Sequence, residues 1–399
     1  VFVTSADYNT TKQITHTPAA ETGICFSPDN RTLAYASERG GNWQLYLAKI
    51  ARKEEANFPN ATIIEEEVLL PSKTVERNYP QFSPDGKELA FIEDRMRLMV
   101  VNLETKKVRQ VTDGSTWYST AGGFDYSWSP DGKWFTLRFI GNKHDPYSDI
   151  GLVSAQGNGE IINLTNSGYS SGSPSFALDG NAILFTTERY GMRAHASWGS
   201  LDDAMLVFLN QDAYDKFSLS KEDYELYKEA NSDRKKVAAK DSSKVKDVVV
   251  ELKNIEDRIV RLTPNSSNMG STLISKDGKT LYYLASAEGG RNLWKMDLRK
   301  KETKLLHKVD AGWTSLEMDK EGKTLFILNG KNMQKMNMAS DDLKPIKYLA
   351  QVKLDLAAER EYMFDHVYKQ QQKRFYNTNM HGVNWDAMTA AYRKFLPHI

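Results

Sequence analysis

The stretch Phe82-Ser-Pro-Asp-Gly86 decides the fold, because the sequence repeats it in recognisable form six times. The six pentads occupy residues 26–30, 82–86, 128–132, 176–180, 274–278 and 318–322. Their starts lie 56, 46, 48, 98 and 44 residues apart, so a unit of nearly constant length recurs and one unit carries an insertion. This period is typical of a β-propeller whose blades each contain four strands.

The pentad has the chemistry of a tight hairpin turn. Its Pro fixes φ at the first turn position, its Asp can bond the backbone ahead, and Gly or Asn tolerates a left-handed backbone. An apolar residue within a β-rich run follows four positions after each acidic residue: Leu33, Leu89, Phe135, Ile183, Leu281 and Leu325. We therefore predict that these runs are inner blade strands, buried between neighbouring sheets.

Most units continue with a third strand and then a fourth that ends in an apolar-Thr pair, as at Val111-Thr112. The opening residues 1–15 contain only the last two strands of such a unit, ending at Ile14-Thr15. This part-unit either completes a blade with the far end of the chain or belongs to a preceding one. The sequence thus predicts an all-β propeller of six or seven blades over residues 1–348.

Two segments depart from the repeat. Residues 202–247 are the surplus in the long gap, and they are expected to form a helical, partly disordered insertion, since Ser220 can cap a helix and residues 233–247 are rich in Lys and Asp. Further on, an amphipathic helix is predicted after the cap Asp355 and a second one after Asn384 or Asp386. Residues 349–399 are therefore expected to be a separate helical domain that is cut short.

Composition narrows the function classes. The 53 basic and 52 acidic residues nearly cancel, which argues against nucleic-acid binding driven by net charge. No apolar run approaches the roughly 20 residues that cross a bilayer. The single cysteine, Cys25, excludes internal disulfides and cysteine-ligated clusters, and no cofactor is predicted. Because the chain opens within an apparent strand, its natural N terminus is expected to lie upstream, and the compartment, periplasm or cytoplasm, stays open.

The Ser-Pro-Asp-Gly repeats resemble those of TolB-type propellers, a functionally mixed superfamily that implies a fold and little more. The C-terminal segments are more specific: Asp355-Leu-Ala-Ala-Glu-Arg-Glu-Tyr-Met-Phe-Asp365, Lys373-Arg-Phe-Tyr376, Met380-His-Gly-Val-Asn-Trp385 and Tyr392-Arg-Lys-Phe-Leu-Pro397. They are similar to the helical start of the peptidase core in tricorn protease homologues, which are serine peptidases related to the carboxyl-terminal processing peptidases. A propeller directly precedes this segment in that family.

The resemblance carries expectations about activity and partners. The family's PDZ domain and nucleophile-bearing domain lie further along the chain, so no catalytic residue is expected here. The implied partners are peptides or unfolded polypeptide and the downstream domains of the same protein, and a homo-oligomer is compatible with the family.

One loop is a candidate for contacts with substrate. Trp117, Tyr118, Phe124 and Tyr126 surround Gly122-Gly123 between two predicted blades. Most aromatic residues of a propeller fill gaps between blades, but those on loops near the channel could grip a peptide.

Two further motifs imitate chemical sites. Gly168-Tyr-Ser-Ser-Gly172 matches the G-x-S-x-G pattern of α/β-hydrolases, which works only on a strand-to-helix turn, whereas here a blade strand is expected to follow. His144-Asp145 with Asp149 could bind a cation, although such loops are normally polar for solvation alone. We therefore predict neither a catalytic residue nor a metal ligand.

Three functions are consistent with these patterns. The first is a non-catalytic propeller that filters or guides peptides to a downstream peptidase domain. The second is a TolB-type protein-binding scaffold without a peptidase role, and the third is the propeller lid of a prolyl-oligopeptidase-like enzyme. The C-terminal helices favour the first, because a TolB-type protein would lack the segment 380–385 and a lid would lead into an α/β-hydrolase domain.

Overall fold

The chain forms a β-propeller with six complete blades, each an antiparallel sheet of four strands. The computed structural model describes residues 1–118, 122–141, 145–157, 159–195, 198–231, 246–310, 312, 314–329 and 332–399. The expected all-β propeller fold is thereby confirmed. The part-unit at residues 1–15 forms a separate sheet of two strands.

The strands follow one another in chain order around the ring. The two-stranded sheet consists of β1 (Phe2–Thr4) and β2 (Thr11–Gln13). Blade 1 contains β3 (Glu21–Phe26), β4 (Thr32–Ser37), β5 (Gln44–Ile50) and β6 (Ile64–Leu69), and blade 2 contains β7 (Arg77–Phe82), β8 (Glu88–Glu93), β9 (Arg97–Asn102) and β10 (Val108–Gln110). Blade 3 contains β11 (Tyr126–Trp128), β12 (Trp134–Phe139), β13 (Asp149–Ser154) and β14 (Ile162–Asn163).

Blade 4 contains β15 (Ser171–Ala177), β16 (Ala182–Thr187), β19 (Asp203–Phe208) and β20 (Ile259–Arg261), with the hairpin β17 (Arg193–His195) and β18 (Trp198–Ser200) between its second and third strands. Blade 5 contains β21 (Met269–Ile274), β22 (Thr280–Ser286), β23 (Arg291–Asp297) and β24 (Glu302–His307). Blade 6 contains β25 (Thr314–Met318), β26 (Thr324–Asn329), β27 (Asn332–Asn337) and β28 (Leu343–Ile346).

The pentads are the turns between first and second strands, as predicted. In blade 2 the Ser83 hydroxyl donates to Asp85 Oδ1 over 2.7 Å and accepts the Glu88 N–H over 3.0 Å. Asp85 Oδ1 also accepts the Lys87 N–H over 3.1 Å, and Gly86 adopts φ of 73°. The same side-chain bonds recur in blades 1, 3 and 5, so local turn chemistry sets the register of each inner hairpin.

The apolar-Thr pairs hold the end of the fourth strand to the start of the third. In blade 3 the Thr165 hydroxyl donates to the fully buried Asp149 over 2.7 Å, and in blade 4 Thr263 donates to Asp203 over 2.8 Å. Arg261 adds two bonds to Asp203, over 3.0 and 2.9 Å. These buried carboxylates are satisfied by hydrogen bonds, which is the condition for burying them without a large penalty.

Chain direction defines two faces of the ring. The upper face carries the connections between second and third strands and those that lead from one blade to the next. The lower face carries the Ser-Pro-Asp-Gly turns and the connections between third and fourth strands. This follows because successive strands of each meander run antiparallel.

The insertion in blade 4 begins later than expected. Asp203–Phe208 is the fully buried third strand of the blade, so the expected boundary at residue 202 is too early. Helices α1 (Gln211–Ser218) and α2 (Lys221–Ala230) follow on the lower face, and Ser220 caps α2 through the Asp223 N–H. The Phe217 ring packs 5.0 Å from Phe208. The charged tract at residues 232–245 lies outside the described residues.

The chain ends in two helices, α3 (Leu356–Arg374) and α4 (Trp385–Arg393). Asp355 accepts the Ala357 and Ala358 N–H groups, and Asn384 accepts the Ala387 N–H, so both predicted caps are present. Rings of Tyr368 and Trp385 stack between the helices at 6.3 Å. No helix in the described part of the chain is long and apolar enough to cross a membrane.

Candidate functional site

The predicted aromatic loop connects β10 to β11 on the upper face, and its rings form a continuous row. The Trp117 centroid lies 5.9 Å from that of Tyr118 and 5.7 Å from that of Phe124. Phe124 in turn lies 6.5 Å from Tyr126. The structure thus brings the four candidate residues together, while residues 119–121 of this loop are outside its described part.

The inner half of the row belongs to the core. Tyr126 is 5% exposed and packs against Phe135, and its hydroxyl donates to the Tyr79 carbonyl. Burial holds the pKa of Tyr126 well above its ordinary value, so the phenol stays a neutral donor. Phe124 packs against the cluster between blades 2 and 3. These two rings position the loop, and Trp117 and Tyr118 lie further out and are partly buried.

Trp117 and Tyr118 each have a polar partner at the rim. The Arg138 guanidinium lies 5.4 Å from the Trp117 ring centroid, within the range of a cation–π contact. The Tyr118 hydroxyl donates to Asp145, and partial desolvation together with this bond raises the pKa of Tyr118 to about 12. The rim therefore offers two aromatic surfaces held by charged groups.

Tyr79 is a further member of this cluster that sequence reasoning missed. It lies at a bulge in β7, adopts φ of 55°, and is 40% exposed. Gly123 makes room for its ring, since a Cβ built on Gly123 would lie 2.7 Å from Tyr79 Cε2. The Gly122-Gly123 pair was the available signal, because adjacent glycines in a loop often mark a close approach. Tyr79 extends the aromatic cluster along the innermost strand of blade 2.

The hydrolase-like motif lies in the loop that enters blade 4 and runs into its first strand, as expected. The Ser170 carbonyl accepts the Glu188 N–H over 3.0 Å, and β15 begins at the next residue. Ser171 is buried and donates to Thr187 Oγ1 over 3.1 Å. Because a strand follows where the nucleophile elbow requires a helix, Ser170 lacks the setting of a nucleophile.

The candidate cation ligands are occupied or outside the described residues. Asp149 accepts bonds from Asn163, Thr165 and the Ser167 N–H at 2.9, 2.7 and 2.9 Å. Asp145 accepts the Tyr118 hydroxyl, and His144 lies outside the described part. Within the described residues there is no group of three His, Cys, Asp or Glu side chains that could hold a metal ion.

One carboxyl on the upper face, that of Asp202, has a raised pKa. Burial raises the pKa of Asp202 to about 6, and the neighbouring charges of Glu188 and Asp203 add to the effect. The Asp202 backbone is paired with Ser267 on both sides, over 2.8 and 3.0 Å. The Asp202 carboxyl is thus held at the start of the third strand of blade 4 by backbone pairing, in a structural setting.

Helix α3 is docked on the upper face by polar contacts. Lys373 Nζ lies 3.0 Å from Glu76 Oε1, and the Glu76 side chain is 8% exposed. Lys369 Nζ donates to the Gly41 carbonyl over 3.1 Å, and the Tyr362 hydroxyl donates to Glu38. Because Glu76 directly precedes β7, the last turn of α3 lies at the upper end of the innermost strand of blade 2.

The other sides of these helices carry exposed apolar residues. Met363 and Val367 on α3 are both more than half exposed, as are Tyr392 on α4 and Phe395 just beyond it. Arg393 joins α4 to α3 through ion pairs with Glu361 and Asp365. The helical pair thus meets the propeller through polar groups and leaves these four apolar residues exposed within the described structure.

Comparison with known proteins shows which family the two C-terminal helices resemble. Residues 356–399 match the Tricorn protease C1 domain. The chain is similar to tricorn proteases. It is 24% identical over 338 residues to a putative tricorn-like protease C-terminal subunit of Sulfurisphaera tokodaii, an alignment that covers 79% of the chain and 36% of the relative. It is 23% identical over 338 residues to a tricorn protease homolog of Saccharolobus solfataricus, covering 79% and 29%.

The propeller shares the tricorn fold as well. The crystal structure of the tricorn protease superposes with a TM-score of 0.63 at 12% identity, covering 94% of this chain and 35% of that one. The family model and the curated relatives confirm the similarity to tricorn protease homologues that the C-terminal segments predicted. This chain spans about a third of the length of the curated relatives it matches, since it covers 36% of one and 29% of the other.

Proposed function

We propose that the propeller is a non-catalytic part of a tricorn-like serine peptidase, where it filters or guides peptides to a catalytic domain elsewhere in the protein. One observation carries this proposal: α3, part of the C1 match, is anchored beside the inner strand of blade 2 by Lys373 and Glu76. On this proposal, the segment that resembles the C1 domain brings the peptidase core close to the upper end of the innermost strand of blade 2.

The groups around that point suit an extended chain. Tyr79 lies three residues beyond Glu76 on the innermost strand, and Trp117 and Tyr118 lie on the loop that leads into the next blade. Aromatic side chains bind peptide through large, rigid surfaces at low entropy cost. A propeller channel admits an unfolded chain, whereas a folded protein is too wide. Selection by size and foldedness follows from this geometry.

Binding along this route should be weak. A guide that held its peptide tightly would slow transfer to the catalytic domain. The formal net charge of +1 gives no strong long-range field, so strong selection by peptide charge is not expected. The immediate partners are then peptides and the PDZ and catalytic domains of the same protein.

The test measures the Kd of a fluorescein-labelled, reduced and carboxymethylated insulin B chain by fluorescence anisotropy. Tyr79→Ala combined with Trp117→Ala should raise the Kd about fivefold or more, because two aromatic contacts are lost. Tyr8→Ala is the matched control, since Tyr8 is 75% exposed on the turn of the two-stranded sheet. Equal affinities of the double variant and the control would contradict the role of this face.

A further inference from the structure

The six blades share one set of equivalent positions on their innermost segments. In every blade the first residue of the pentad pairs with the same apolar position of the second strand, as Phe82 pairs with Leu89. The residue three positions before each pentad is therefore equivalent from blade to blade. These six residues, here called the inner arc, are Gly23, Tyr79, Asp125, Ser173, Ser271 and Ser315. Four of them, all except Gly23 and Ser271, are exposed although they belong to the innermost part of their blades.

Backbone bulges occur at the inner arc. In blades 1, 2, 4 and 5 the pairing of the first two strands shifts register at this position. Gly23, Tyr79 and Ser173 adopt φ of 62°, 55° and 51°, and this left-handed backbone is strained for Tyr and Ser. A bulge redirects a side chain, and strained residues are concentrated at ligand-binding sites. The inner arc is therefore a candidate contact surface.

Contacts between neighbouring blades place the inner arc at the channel wall. The Ser173 N–H donates to Asp125 Oδ2 over 3.2 Å, and a Cβ built on Gly23 would lie 3.2 Å from the Tyr79 backbone nitrogen. A similar bond joins blades 5 and 6, where Ser271 Oγ accepts a backbone N–H over 3.1 Å. Blades diverge with distance from the channel axis, so equivalent residues of adjacent blades meet directly only close to that axis. The exposed side chains of the inner arc therefore face the channel.

Asp125 is the charged member of the inner arc. Its Oδ2 accepts the Ser173 N–H, whereas its Oδ1 has neither a hydrogen bond nor an ion pair within the described residues. The Arg138 N–H donates to the Asp125 carbonyl over 2.8 Å. The Arg138 guanidinium, however, donates to Ser148 Oγ over 2.8 Å and lies over the Trp117 ring. An exposed carboxylate with one neutral hydrogen bond thus faces the channel.

The other charges near Arg138 are mainly negative. Burial and the charges of Glu188 and Asp203 raise the pKa of Asp202 to about 6, whereas the charge of Arg138 acts in the opposite direction. The influence of Arg138 thus extends to Asp202. Asp125, Glu188 and Asp202 outnumber Arg138 where blades 3 and 4 meet, so a basic group from a ligand would complement the local charge.

Tyr79 lies beside Asp125 on the neighbouring blade. Tyr126, which directly follows Asp125, donates its hydroxyl to the Tyr79 carbonyl. Gly123, two residues before Asp125, makes room for the Tyr79 ring. The aromatic face and the carboxylate are thus held at one level of the channel wall. A carboxylate next to an aromatic face is a combination that binds an ammonium or guanidinium group, through a charge-assisted hydrogen bond and a cation–π contact.

We propose that Asp125 and Tyr79 form a subsite in the channel for a basic side chain of an extended peptide, and that Asp125 determines a preference for Lys or Arg at this point. Asp125 Oδ1 accepts the hydrogen bond from the ammonium or guanidinium group, and the Tyr79 ring covers the cation or its methylene stem. The inference rests on the proposed function in one respect, that the ligand is an extended peptide. The preference acts at short range, since the formal net charge of +1 gives no strong long-range field.

Two fluorescein-labelled, N-acetylated decapeptides test the subsite. They are identical except at one position, which is Arg in the first and its neutral isostere citrulline in the second. The Arg peptide should bind about three to five times more tightly, as expected for one exposed charge pair. Asp125→Asn keeps an acceptor for the Ser173 N–H and should bring the ratio of the two Kd values close to one.

The matched control is Asp257→Asn, which should leave the ratio of the Kd values unchanged. Asp257 is an exposed carboxylate that precedes the outermost strand of blade 4, away from the channel. Both variants remove one negative charge, so only the position of that charge differs between them. Thermal unfolding verifies that each variant is folded.

Salt gives a readout that needs no variant. Raising NaCl from about 50 to about 500 mM should bring the ratio for the unaltered chain close to one, because screening weakens an exposed charge contact. The α-amino group of a peptide carries the same charge as a Lys side chain, so a citrulline peptide with a free N terminus is the third ligand. If that peptide alone binds in an Asp125-dependent manner, the side-chain subsite is rejected.

The remaining outcomes separate the subsite from the proposed function. A ratio near one for the unaltered chain at low salt, or equal effects of Asp125→Asn and Asp257→Asn, would overturn the subsite. If Tyr79→Ala with Trp117→Ala still weakens binding of both peptides in that case, the proposed function stands without it. Absence of binding by every peptide would reject the proposed function and the subsite together.

Discussion

Gly123→Ala probes the packing that holds Tyr79 in the aromatic cluster. Gly123 has φ of 118°, and a Cβ there would lie 2.7 and 3.1 Å from Tyr79 Cε2 and Cδ2 and 3.3 Å from Ile92 Cδ1. A side chain at this backbone angle costs about 1–3 kcal/mol of folding free energy. Overpacking adds about 1–3 kcal/mol if the ring stays in place. Because Tyr79 is 40% exposed and can swing outward, we expect a total of about 2–4 kcal/mol.

The assay is urea unfolding of single and double variants. Gly289→Ala is the matched control, since Gly289 also has a positive φ, of 83°, but no atom within 4 Å of its Cβ position. Gly289→Ala should lower the free energy of unfolding only by the cost of the backbone conformation, about 1–3 kcal/mol. In a Tyr79→Ala background the cost of Gly123→Ala should fall by about 1 kcal/mol or more, because the clash is gone. A cost no greater than that of Gly289→Ala, with no coupling to Tyr79, would refute the reasoning.

Three further predictions concern activity and stability. The chain alone should hydrolyse no peptide in a fluorogenic panel, because Ser170 lacks an elbow; turnover that Ser170→Ala abolishes would contradict this. The hydrogen bond from Ser27 lowers the pKa of Asp29, so the stability it contributes is complete above about pH 4 and is lost as the pH falls further. Ser27→Ala should therefore reduce the difference between unfolding free energies at neutral and acidic pH, and an unchanged difference would reject this linkage. Replacing residues 233–243 by a short Gly/Ser linker should shift the Tm by at most a few degrees, as expected for a change of under about 1 kcal/mol, whereas collapse of expression would show that the tract is packed.

The blades could be predicted from the sequence because the hydrogen bonds that form each turn join residues that are close together in the chain. The Ser and Asp of the pentads in blades 1, 2, 3 and 5 bond within the same five to six residues, as Ser83 and Asp85 do, so local chemistry forms these turns. The helix caps Ser220, Asp355 and Asn384 are local in the same sense. The homology of the C-terminal helices also followed from short contiguous segments.

The site was less predictable because it depends on long-range contacts. Tyr79 joins the aromatic cluster because β7 has a bulge and because Gly123, 44 positions further on, leaves room for its ring. No sequence pattern within blade 2 predicts this contact. Tyr126 belongs to the predicted loop by sequence but is buried between blades. Helix α3 looks amphipathic, yet it docks through Lys373 and other polar groups.

The most direct test of the guiding role is steady-state kinetics of the full-length protein with two substrates, a tetrapeptide and the carboxymethylated insulin B chain. Tyr79→Ala with Trp117→Ala should lower kcat/KM for the long chain about fivefold or more and leave the tetrapeptide unchanged, because only the long chain needs the propeller. Tyr8→Ala should affect neither substrate. Unchanged kcat/KM for the long chain, or an equal loss for both substrates, would contradict the account and favour a propeller that serves as a docking platform for another protein.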